Sequence, residues 1–208
     1  MKKHIIALAV ALLATLTGVR ADTSYLLIQG PFGTAGATET FDWAVNYQPG
    51  QLLTGFDLLT AALTSNQFQY TAYSFGDEVD GFTLGGTSVQ NGSWTTNSDG
   101  SGSGLSWTYY TAGAADCAWA IGEDGASATD LSNGSYDGWV YGLNAYDADY
   151  NPTATPAIDN GTGANAPLTT DFSGATAVHY VAVPEPTSTA LAFIGACGVL
   201  ALYRRRRG

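Results

Sequence analysis

Between Ala21 and Arg204 the chain contains no lysine and no arginine. All 7 basic residues stand at positions 2, 3, 20 and 204 to 207, whereas all 18 Asp and Glu residues lie from Asp22 to Glu185. His179 is the one side chain of that long middle stretch able to take up a positive charge. A fold built from it must therefore cohere through apolar burial and backbone hydrogen bonding, without Lys or Arg ion pairs. Its surface repels other anions, which excludes DNA or RNA as a partner. Salt screens repulsion between neighbouring carboxylates, with a Debye length of about 10 Å at 0.1 M. Raising sodium chloride is accordingly expected to raise the melting temperature; a flat or falling temperature in salt-dependent thermal scans would contradict this.

The two ends have a different character. Met1-Lys2-Lys3-His4 precedes an apolar run from Ile5 to Leu16, then Thr17-Gly18-Val19-Arg20-Ala21. A basic start, a short apolar core and small residues at positions 19 and 21 predict a signal peptide over 1–21, cut by signal peptidase after Ala21. The alternative is an uncleaved anchor, for which the run is short. At the other end, Val183-Pro184-Glu185-Pro186 leads into an apolar segment from Thr189 to Tyr203 and then Arg204-Arg205-Arg206-Arg207-Gly208. At about 1.5 Å per residue that segment falls a little short of a hydrocarbon core of about 30 Å, a mismatch that local thinning absorbs. Arg204, Arg205, Arg206 and Arg207 act as a membrane stop signal that keeps this end in the cytoplasm.

This order of Pro-Glu-Pro, short span and basic terminus is similar to the bacterial PEP-CTERM sorting signal. The resemblance implies that Pro184, Glu185 and Pro186 are the motif recognised by an exosortase-type enzyme. It also implies anchoring in the inner membrane through a C-terminal transmembrane helix, followed by transfer to the cell surface or an extracellular matrix. The competing reading is an ordinary tail anchor.

What remains, 22–183, has the size of one ordinary domain. Cys117 and Cys197 fall on opposite sides of the sorting motif, so no disulfide staples the domain. Phe41 to Tyr47 alternates at strand period, and Phe68 to Phe75 is rich in aromatic residues and Thr. Between them, Thr54-Gly55-Phe56-Asp57 has the spacing of a capping box, and Phe56, Leu59, Ala62 and Leu63 recur at helical steps, predicting one helix over Thr54 to Thr64. Further strands are expected at Phe82 to Leu84, Ser106 to Tyr110, Ala118 to Ile121, Gly138 to Tyr141 and Ala175 to Val181. Loops are expected at Asn97 to Gly104 and Asn151 to Pro167. The expected class is α+β, a mostly antiparallel sheet with one packed helix.

Ser106-Trp107-Thr108-Tyr109-Tyr110 and Asp137-Gly138-Trp139-Val140-Tyr141, taken with the preceding helix at Asp57-Leu58-Leu59, give Phe41 to Tyr141 a resemblance to the transcobalamin-like C-terminal domain. That family implies a β-grasp-like fold, with Asp137-Gly138 as a closing turn. It implies fold more firmly than ligand.

Catalytic machinery is sparse. Cys117 with His179 is the one nucleophile–base pair on offer, and a strand histidine close to the sorting motif is more often surface filler than a general base. Paired carboxylates and the rings of Trp94, Trp107 and Trp119 would suit an extracellular hydrolase acting on polysaccharide. The expected role is instead non-enzymatic display or binding, with polysaccharide as a candidate partner. No cofactor is expected beyond a loose calcium site. For that, Asp147-Ala148-Asp149-Tyr150-Asn151 places oxygen ligands at alternate positions, but Pro152 replaces the glycine of an EF-hand loop and Ile158 its terminal Glu. Asp77-Glu78-Val79-Asp80-Gly81 is expected to be a second acidic turn. The Asn-x-Ser/Thr triplets at Asn91, Asn133 and Asn160 suit turns better than glycan attachment.

Overall fold

A computed structural model of the chain describes residues 21–73, 76–114, 118–122, 124–156 and 172–180. The expected signal peptide apart from Ala21, the apolar segment Thr189 to Tyr203, Cys117 and the sorting motif lie outside the described residues. Among the described residues no helix is long and apolar enough to cross a membrane.

Strands β1 (Asp22–Gly30) and β2 (Glu39–Tyr47) form an antiparallel hairpin, paired from Asp22 with Tyr47 to Gly30 with Glu39. Helix α1 (Gly55–Ala62) follows. Its start is the expected capping box: the Asp57 amide donates to the Thr54 hydroxyl at 3.2 Å, and the Thr54 amide donates back to the Asp57 carboxylate at 3.0 Å. That exchange satisfies two amides a helix start otherwise leaves unpaired. The helix stops about two residues earlier than its periodicity suggests, because Leu63 is already extended.

Next comes a separate antiparallel meander of β3 (Phe68–Tyr73), β4 (Gly76–Leu84) and β5 (Thr87–Gln90). Asp77 to Gly81, expected as an acidic turn, is the body of β4. Strand period tolerates it there because Val79 points inward while Glu78 faces solvent. The chain then returns through β6 (Trp94–Thr96), β7 (Gly102–Ala112), the two-residue β8 (Ala120–Ile121), β9 (Tyr136–Tyr146), β10 (Pro152–Ala154) and β11 (Thr176–His179).

The larger sheet runs β11-β2-β1-β9-β7-β6, with β8 paired to β7 and β10 to β9. Two pairings are parallel, β1 with β9 and β11 with β2; the rest of both sheets is antiparallel. β1 thus sits at the centre, buried on both faces. Leu26 and Ile28 point into a core shared with α1, the meander and Trp139, while Leu27 points to the other side against Tyr110, Trp119 and Val140. All three β1 residues have no exposed surface. At about 1.5–3 kcal/mol for each fully buried aliphatic side chain, this strand is a major part of what replaces ion pairing.

The resulting class is α+β, mostly sheet with one helix, as expected. The glycine-serine stretch expected as a loop through Gly104 is strand from Gly102 onward, since β9 supplies a partner for every residue of β7. Asp137-Gly138, expected as a closing turn, lies inside β9; the reversal falls upstream at Asn133-Gly134, where Gly134 takes a positive φ of 84°.

Candidate functional site

The strands of the far margin, with the end of the meander, enclose a cleft of about 710 Å³, within the range of small-ligand pockets. β6 supplies Trp94, β7 supplies Leu105 to Tyr109, β9 supplies Asn144 and Tyr146, and Tyr150 and Pro152 close one end. Among the described residues, Glu78 of β4 is the single carboxylate-bearing residue on this wall.

Trp94 is opposite Gly104 and diagonal to Gly102. Its indole lies down across both glycines: a Cβ at Gly102 would stand 2.6 Å from the indole nitrogen, and one at Gly104 would stand 2.7 Å from Cε3. One face of the ring is thereby supported by bare backbone, an arrangement that restores packing where glycine has none. Trp94 remains 46% exposed, and the Tyr146 ring leans against it with centroids 5.9 Å apart at 42°.

Tyr150 stands at the end of a tight turn. Asp147 accepts hydrogen bonds from the amides of Asp149 at 3.0 Å and Asn151 at 2.8 Å, and from the Asn151 side chain. These bonds, that to the Asn151 amide foremost, hold the Asp147 carboxyl below its usual range. The same bonds engage its carboxylate within the turn, and among the described residues no group of three or more His, Cys, Asp or Glu is placed to hold a metal.

Deeper polar groups are tied to one another. Asn144 accepts from the Thr108 hydroxyl at 2.9 Å and donates to the Ser106 hydroxyl at 2.7 Å. Asn91, the first of the Asn-x-Ser triplets, accepts from the Trp107 amide at 3.0 Å and donates to the Val79 carbonyl. Burial, and then the neighbouring charge of Asp80, push the Glu78 carboxyl above its ordinary range.

Beneath the cleft lies the most perturbed pair of the domain. The Tyr109 hydroxyl donates to Asp137, which is 1% exposed. Burial raises the Asp137 carboxyl to about 7, against the lowering effect of the Tyr109 hydrogen bond, and burial together with the Asp137 charge raises the Tyr109 phenol. Gly55, the first residue of α1, fits closely over both groups: a Cβ there would overlap the Tyr109 hydroxyl and stand 2.5 Å from Asp137. The pair links β7 to β9 directly beneath the start of α1.

The tryptophans singled out from sequence divide sharply. Trp94 faces the cleft openly, Trp107 lines it half-buried and donates to the Val89 carbonyl, and Trp119 is wholly buried. His179 is exposed on β11, at the opposite margin of the sheet. Asn133 uses its side-chain oxygen to accept from the Thr23 amide at 2.9 Å, which is turn chemistry. Tyr146, Tyr150 and Asn144 were not singled out as ligand contacts by sequence. The signal available was the unusual setting of an aromatic residue within an Asp-x-Asp-x-Asn turn.

The last described strand, β11, is followed within three residues by a family-level match: residues 182–207 match the PEP-CTERM protein-sorting motif. The matched stretch contains Pro184, Glu185, Pro186 and the four arginines. It marks the chain as an exported protein that passes through membrane-anchored processing by an exosortase-type enzyme. No curated protein and no solved structure matches the chain, so nothing in these comparisons supports the transcobalamin-like expectation.

Proposed function

We propose that this is a non-enzymatic protein displayed at the cell surface or in an extracellular matrix, and that its exported domain, 22–183, works by binding. The observation that carries the reading is the sorting-motif match at 182–207, placed directly after the domain's edge strand. In this reading signal peptidase cuts after Ala21, and the tail inserts with Arg204 to Arg207 inside. An exosortase-type enzyme recognises Pro184, Glu185 and Pro186 and moves the domain to its acceptor.

The alternative, a carboxylate-based hydrolase, needs a second acid facing Glu78 across the cleft, since glycoside hydrolysis uses two carboxyl groups about 5 to 10 Å apart. Glu78 stands there without one among the described residues.

Mass spectrometry of the mature protein from its native host tests the sorting reading. The expected product begins at Asp22 and lacks the arginine cluster. Recovery of surface material that still ends in Arg207-Gly208 would overturn exosortase processing and leave a plain membrane anchor.

A further inference from the structure

Two aromatic side chains at the cleft stand open to solvent. Trp94 lies flat on Gly102 and Gly104 with its outer face free. Tyr150 is 80% exposed and sits in left-handed backbone at φ 63°, a conformation that glycine or asparagine adopts more cheaply than a bulky residue. The left-handed backbone serves the turn between β9 and β10, in which the Tyr150 amide donates to the Asp147 carbonyl at 3.0 Å, but that turn needs no aromatic ring, and a large exposed ring there points to a ligand contact.

We infer that this cleft is a binding site for an uncharged saccharide, with Trp94 and Tyr150 as stacking platforms and with the Ser106 hydroxyl, whose proton remains after it accepts from Asn144, and the second amide proton of Asn91 left for the sugar's hydroxyl edge. A hexose ring has C–H faces that pack on an aromatic plane and a rim of hydroxyls that donate and accept, and the wall offers both kinds of surface in one place. The charge pattern selects among saccharides. With no lysine or arginine from residue 21 to 180 and an acidic surface throughout, an anionic glycan is repelled and has no basic side chain to hold it. A cation is poorly served too. Among the described residues the wall carries one carboxylate, Glu78, too few to hold a cation.

The inference rests on the binding half of the proposed function and is independent of the sorting half. It is tested on the purified full chain in detergent, by calorimetry and tryptophan fluorescence, with short neutral gluco-, manno- and galacto-oligosaccharides as probes and cationic glucosamine and anionic uronate oligomers as comparators. Saturable binding to at least one neutral series is expected, insensitive to salt. Tyr150→Gly is expected to weaken it roughly tenfold, equivalent to about 1.4 kcal/mol, while leaving the melting temperature unchanged or higher because left-handed strain is relieved. Trp94→Ala is expected to remove it. The inference is overturned if no neutral series binds, if only a charged oligomer binds and salt abolishes it, or if the Tyr150→Gly chain binds as the parent does. A failed sorting experiment leaves each of these outcomes unaltered.

Discussion

Replacing Asp137 with Asn is expected to flatten the dependence of stability on pH between about 4 and 7. In the parent protein the Asp137 carboxyl is raised from 3.8 to about 7 by burial. The folded state therefore keeps a proton that the unfolded chain gives up, and proton release on unfolding means that stability falls as pH rises. The contribution is complete below the unfolded value near 4 and is lost as pH climbs through about 7. At about 1.4 kcal/mol per unit, the interval bounds the loss at about 4 kcal/mol. High salt suppresses repulsion among the surface carboxylates, so the difference between parent and variant isolates Asp137. Urea unfolding at several pH values in high salt is the measurement. The parent midpoint should fall across the window while that of Asp137→Asn stays level; parallel curves for both would show that the buried acid is not what titrates.

Gly55→Ala is expected to cost about 2 to 4 kcal/mol, although alanine is the better helix former by about 1 kcal/mol. The added Cβ meets the Tyr109 hydroxyl and Asp137 together, so either the helix lifts from the sheet or the hydrogen bond between them breaks. A double-mutant cycle with Tyr109→Phe separates this cause from a general intolerance of the position. Removing the hydroxyl makes room, so the cost of Gly55→Ala should be smaller in the Tyr109→Phe background. Additive effects, within about 0.5 kcal/mol, would rule out the steric account.

The parts of the fold that were legible in sequence are those whose cause is local. Thr54 and Asp57 sit three apart and bond to one another whatever surrounds them, so the helix start was readable. Phe41 to Tyr47 alternates because one side of β2 meets the core. What could not be read depends on distant partners. β1 lies beside β9, more than a hundred residues away, and no residue in either announces that the pairing is parallel. Asp137-Gly138 has the composition of a turn, yet Tyr109 and Gly55 enclose the aspartate within a strand. The flat seat of Trp94 required knowing that Gly104 is its cross-strand neighbour, and a glycine-serine run carries no sign of that by itself. The tail is the reverse case: an address read by an enzyme is linear, and so was fully visible.

The order of strands also sets how the displayed domain would bear a load. The tail leaves from β11 at one margin of the sheet, and Trp94 belongs to β6 at the other, about 24 Å away at ~4.8 Å per strand step. Only Val181, Ala182 and Val183 separate Tyr180 from Pro184, a tether of about 10 to 14 Å when extended. With the tail anchored and the cleft engaged, tension runs crosswise through the ladder, perpendicular to the strands, and its hydrogen bonds open one pair at a time. The four-residue, mostly exposed β11 yields first, lengthening the tether and leaving the core strands clamped together. The margin nearest the tail is thus the weakest edge of the sheet, and the margin that carries Trp94 is the one farthest from it.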